Sequence, residues 1–240
     1  MRRWVCALAI ACSAKVLSVG LVTQYHLGSQ FLENTCHYNE REKHLFLLGV
    51  WFPGIWYTTE SKVNPVRFFD LFDSKAIVIE NDPFKKGILF HHYLHSHEKR
   101  FFENSHFQKS LESNMPYPIQ ECYLNILEDL MVKRSESVDK AKILLNEILY
   151  TDINLESFSD RYSVSDVIKW YYTIFISITT NPLEIPDHVS FANTYKGLKV
   201  AVDLTPEMLE SAKKTLPELS LDEVISKEIT AYIKLMQSSY

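Results

Sequence analysis

The chain has 240 residues, 46% apolar and 23% charged, enough to build a globular core in one large domain or two small ones. Six glycines argue against a turn-rich sandwich or a glycine-rich loop that cradles phosphate, and 14 Phe with 13 Tyr predict a bulky core. A net charge of −5 gives no general attraction to nucleic acid.

In chain order, Arg2-Arg3, the apolar run Trp4–Ala11 and the small residues Cys12-Ser13-Ala14 read as an export signal. Cleavage after Ala14 is the first choice and a cut near Gly20 the second. Ala9-Ile10-Ala11-Cys12 also looks like a lipoprotein box, and an uncleaved anchor through Val22, interrupted by Lys15, is the alternative. The expected organisation is a signal over residues 1–20 and one helical domain over 21–240, periplasmic or secreted. No later segment is apolar and long enough to span a bilayer. Beyond the signal only Cys36 and Cys122 remain. They either pair in an oxidising compartment or stay as two isolated buried thiols.

A first helix is predicted to begin near Val16 or Val22 and to reach Phe31 and Leu32, followed by a polar loop over Asn34–Asn39. Glu40–Trp51 places Leu45, Leu48 and Phe52 at helical spacing, and Pro53-Gly54 ends it, because proline cannot continue a helix. Val66–Phe72 reads as a short helix. The β-branched run within Ala76–Glu80 leaves a short strand open. Pro118 opens a helix through Met131, and Ser135–Tyr150 forms the next. Ser163-Val164-Ser165-Asp166 starts a helix over Val167–Thr179. Thr205 and Pro206 begin a helix to Leu216, and Ser220 with Glu223 makes a capping box for a last helix through Met236. The fold class is therefore all-α, a single-domain multi-helix bundle.

The most informative stretch is Phe84–Phe107, which carries five of the nine histidines. Asp82 suits an N-cap and Pro83 the first helical turn. At about 100° per residue, Phe84, Ile88, His91, His95, Glu98 and Phe102 fall on one stripe. The apolar face thus carries two histidines and a glutamate. His91 and His95, at i and i+4, project to one side, and Glu98 follows at i+3. Together they supply the nitrogen and oxygen ligands that zinc takes, and a zinc with an open position activates water for hydrolysis. Glu128 and Asp129 are the candidates for a fourth ligand. The competing reading is structural: a buried histidine needs only hydrogen bonds for its two nitrogens. His92, His97 and His106 are expected in solvent. A nucleophile elbow, a P-loop and a dinucleotide fingerprint are all missing from the sequence.

Three segments together resemble bacterial zinc-dependent phospholipase C proteins and the related single-strand-specific nucleases. They are Gly20-Leu21-Val22-Thr23-Gln24, the pair Phe46–Gly49 and Phe52–Ile55, and Phe90-His91-His92-Tyr93-Leu94-His95, within roughly the first half of the chain. The resemblance implies an exported, all-helical enzyme with zinc held by His and Asp, acting on a phospholipid or another phosphodiester. His91 falls on a family ligand, and His95 on a ligand aspartate. Gln24 stands where the family has histidine, Gly54 where it has aspartate, and Tyr123 and Leu127 at the spacing of a later His–Glu pair. Two expectations follow: a metal-dependent phosphodiester hydrolase, or a catalytically inactive structural or interaction protein of the same fold outside the cytoplasm. A protein held at a membrane surface by its N-terminal segment is a third.

Overall fold

A computed structural model describes residues 20–35, 37–55, 74–103, 105–114, 124, 127–129, 132, 147, 162–179, 214 and 222–239. The expected export signal, both mature cysteines, Tyr123 and the helices predicted at Val66–Phe72 and after Pro206 lie wholly or almost wholly outside these residues. Among the described residues the structure is helical and contains no strand. The helices are α1 (Leu21–Thr35), α2 (Glu40–Trp51) running into a 3-10 turn (Phe52–Gly54), α3 (Ser74–Ile79), α4 (Pro83–Phe102), α5 (His106–Asn114), α6 (Val164–Thr179) and α7 (Glu223–Gln237). None of them is long and apolar enough to cross a membrane.

The ends follow local chemistry. Asn39 caps α2 in a reciprocal box: its side chain accepts from the Glu42 N–H, while the Glu42 carboxylate accepts from the Asn39 N–H. Asp82 accepts from the Phe84 and Lys85 N–H groups, with Pro83 in the first turn of α4. Ser163 and Asp166 bond each other's backbone at the start of α6. Three expectations are corrected. Ala76–Glu80 gives no strand; it lies in and just after α3, which packs on α4 with Ile77 buried. The last helix is capped by Asp222, whose carboxylate accepts from the Val224 and Ile225 N–H groups, rather than by a box from Ser220 to Glu223. The histidine stretch is two helices, since α4 stops at Phe102 and Phe107 belongs to α5.

The central contact is the crossing of α2 and α4. It is close because each helix contributes a glycine. A Cβ at Gly49 would stand 2.0 Å from the Phe84 carbonyl oxygen, and one at Gly87 2.1 Å from that of Phe46. Phe31, Phe46 and Phe90 pack ring to ring beside this crossing, with centroids 4.7–5.6 Å apart. At the other end Phe52 sits edge-on to Phe84, Tyr162 and Trp170. α7 closes the bundle against α1, α4 and α5, burying Ile225, Ile229, Tyr232 and Met236. Its Glu228 carboxylate accepts the first N–H groups of α5, from His106 and Phe107, at 3.0 and 2.7 Å. The crossing fixes how far each residue of α4 stands from α2, and so where its polar half points.

Candidate functional site

The stripe predicted on α4 is the buried face. Phe84, Ile88, His91, Glu98 and Phe102 are all buried, and His95 is partly so. The polar half of the stripe packs near the C-terminal end of α2, the N-terminus of α1 and the helical residues 127–129.

His91 is tied to α2. Carbonyls in the last turn of a helix lack partners within it, and the His91 Nδ1–H donates to one of them, the Val50 oxygen, at 2.9 Å. That bond fixes the tautomer, leaving Nε2 as the acceptor nitrogen. Burial first, and His95 second, push the His91 pKa down to about 3, so the ring is neutral at any physiological pH. His95 lies one turn on. Its Nδ1 is 3.7 Å from a Glu98 carboxylate oxygen, too far for a hydrogen bond.

The acids come from a distant part of the chain. Glu128 is wholly buried and Glu98 is 3% exposed. One Glu128 oxygen accepts the Gly20 N–H at 3.0 Å. Asp129 accepts both the N–H and the hydroxyl of Thr23, at 2.9 and 3.1 Å. The N-terminus of α1 has glycine at its cap position, and these two carboxylates take over the capping and complement the helix dipole. The other Glu128 oxygen, Oε1, has no hydrogen-bond partner among the described residues. Burial chiefly, then repulsion from Glu98 and Asp129, raises the Glu128 pKa well above the ordinary carboxyl range. Two buried carboxyls in contact do not both ionise. Of the two, Glu128 is the carboxyl pushed toward keeping its proton.

The residues expected as zinc ligands thus share one helix face and one neighbourhood, with Glu128 and Asp129 close by. Among the described residues, however, no three His, Cys, Asp or Glu side chains are grouped as metal ligands are. Gln24, where the resemblance expects histidine, is 3% exposed. Leu127 is core, fully buried, and the acid of that segment is the next residue. The capping role of Glu128 and Asp129 was missed in the sequence. The available signal was α1 itself, which starts at Gly20-Leu21 without a capping side chain of its own.

The remaining histidines are mostly held. The His97 Nδ1–H donates to the Tyr93 oxygen at 2.9 Å, and its ring packs on Tyr93 at 4.1 Å, which replaces the expected solvated side chain. His92 is half-buried, and burial lowers its pKa. His26 Nε2 accepts from the Gln237 amide at 3.2 Å, and His44 Nε2 stands 3.2 Å from Glu147. His106 is exposed, as expected. Compared with known proteins, the chain matches no family model, no curated protein and no solved structure.

Proposed function

We propose that this chain is a non-hydrolytic helical protein of the zinc phospholipase C type, serving as a structural or interaction protein outside the cytoplasm. The N-terminal segment motivates the location. The observation that carries the rest is the Glu98–Glu128 pair: two buried carboxyls, one of which accepts the Gly20 N–H, with the Glu128 pKa raised by burial and by Glu98; a proton held on Glu128 balances them. Gln24 and Gly54 point the same way, because each removes a metal-binding side chain where the resemblance requires one. In this reading the polar cluster seats the N-terminus of α1 on α4 and on residues 127–129. The test uses purified protein incubated with zinc and then desalted. Zinc well below one equivalent, with no hydrolysis of bis(4-nitrophenyl) phosphate, is expected.

The hydrolase reading rests on a different observation. His91 is neutral, and its Nδ1–H is bound to a carbonyl, the arrangement that orients metal-ligating histidines; in that reading His91, His95 and Glu98 hold zinc. The chemistry such a metal supplies is activation of water and polarisation of a phosphoryl oxygen. One equivalent of zinc that disappears in the His91→Ala/His95→Ala double variant, together with phosphodiester hydrolysis, would establish it and overturn the first reading.

A further inference from the structure

α7 makes its core contacts on one side. Ile225, Ile229, Tyr232 and Met236 are buried there, while Glu223, Lys227, Thr230, Ala231 and Lys234, on the other side, are exposed. An open groove of about 410 Å³ runs along that outer side, lined by these five residues and Ser226. Charges mark its two ends. Glu223 lies in the first turn and Lys234 in the last, about three full turns apart, so the two share one line along the helix. Glu223 stands 3.5 Å from Lys227, one turn on, whereas Lys234 meets no carboxylate among the described residues. A second line beside the first runs the same distance from Val224, 49% exposed, to Leu235, 45% exposed. Between the ends lie the short side chains Ser226, Thr230 and Ala231, and short side chains at a contact let two helices come close.

We propose that the outer face of α7 docks a second copy of this chain, the two α7 helices pairing antiparallel about a two-fold axis. Such an interface is isologous: where one residue meets another of the copy, the reverse contact also forms. With the axis midway along the helix, Glu223 faces the copy's Lys234, and Lys234 faces the copy's Glu223. Val224 and Leu235 meet in the same reciprocal way and cover each other. A parallel pair would instead set Glu223 against Glu223 and Lys234 against Lys234, and like charges placed opposite each other are disfavoured. The face is thus its own complement, and only when reversed. Near the axis the two copies of Lys227 approach, each offset by its own Glu223. α7 spans 15 residues, about 22 Å. One such helix from each side makes an interface at the small end of the known range, so the dimer is weak and concentration-dependent. It uses no residue of the Glu98–Glu128 cluster and stands whether that cluster holds a proton or a metal.

The test is sedimentation equilibrium of the purified full chain at concentrations up to about 1 mM, in low and in high salt. The wild type is expected to show a monomer–dimer equilibrium that salt weakens. Glu223→Lys and Lys234→Glu each turn two attractive pairs into two repulsive ones, so each is expected to weaken self-association about tenfold. An equimolar mixture of the two variants is expected to recover it as a heterodimer, because every end charge then meets its opposite. Both side chains are exposed, and neither change enters the core. Should a reversal not fold, Glu223→Gln or Lys234→Gln replaces it, with about a threefold loss expected. A wild type that stays monomeric throughout would overturn the proposal. So would a dimer indifferent to these substitutions, which pairs through another face, or reversed variants that stay monomeric when mixed.

Discussion

The two halves of α4 carry one continuous stripe but are held by opposite physics. In the N-terminal half, Gly87 brings the backbones of α2 and α4 together, and Phe84, Ile88 and Phe90 fill the space around them. From His91 onward, the same face presents His91, His95 and Glu98 to a carbonyl and to carboxyls. The first half is stabilised by close packing, which has no pH dependence. The second depends on a neutral imidazole and on a carboxyl whose pKa is raised, both of which titrate. Spacing along one helix predicts what is buried; what the buried group is paired with is decided by partners far away in sequence.

The sharpest way to break the comparison lies in the packed half. Gly49→Ala or Gly87→Ala puts a methyl carbon about where a backbone oxygen stands. Each is expected to cost roughly 3 kcal/mol or more, read as a lower urea midpoint, and the loss is expected to be independent of pH.

The polar half is expected to fail with acid. His91 titrates near 3 in the folded chain and near its ordinary value, about 6.5, when unfolded. Its contribution is complete above pH ~6.5 and is lost as pH falls toward 3. Between pH ~6.5 and ~4.5 that is roughly 2 kcal/mol. His91→Asn retains a donor for the Val50 oxygen and cannot be protonated in this range. It is expected to flatten the acid limb of a stability–pH curve measured by urea unfolding; a slope unchanged from wild type would show that His91 is not its source.

Glu128 acts in the opposite direction. Its raised pKa means that the folded chain holds a proton which the unfolded chain releases above about pH 4.3. Its contribution is thus complete below that value and is lost as pH rises. Glu128→Gln removes the titration and keeps an oxygen for the Gly20 N–H. Above neutral pH it is expected to gain about 1 kcal/mol relative to wild type, with little change in acid. The smallest effect is expected at the cap of α5: Glu228→Ala removes both carboxylate contacts and should cost about 1 kcal/mol at any pH where Glu228 is ionised, seen as a small drop in Tm.

Where the sequence was legible, the reason is local. Asp82-Pro83 states its helix start within two residues, and the stripe from Phe84 to Phe102 states its own burial. Spacing also brought His91, His95 and Glu98 to one side. What sequence could not state is long-range. Gly49 and Gly87 were unremarked because a glycine signals a close crossing only once both helices are placed. Glu128 and Asp129 lie more than a hundred residues from the helix end they cap. Asp222 took the cap assigned to Ser220 because its carboxylate reaches two N–H groups at once. The run Ile77-Val78-Ile79 is helical, with Ile77 buried and Val78 and Ile79 in solvent, a one-sided burial that its β-branched composition did not announce.

The central claim is that a proton balances the buried acid pair. The most direct measurement is the carboxyl carbon chemical shift of Glu128 by NMR, at neutral pH, with and without one equivalent of zinc. A protonated carboxyl that zinc does not change is predicted. An ionised Glu128, or a shift on adding zinc that Glu98→Gln abolishes, would contradict the account.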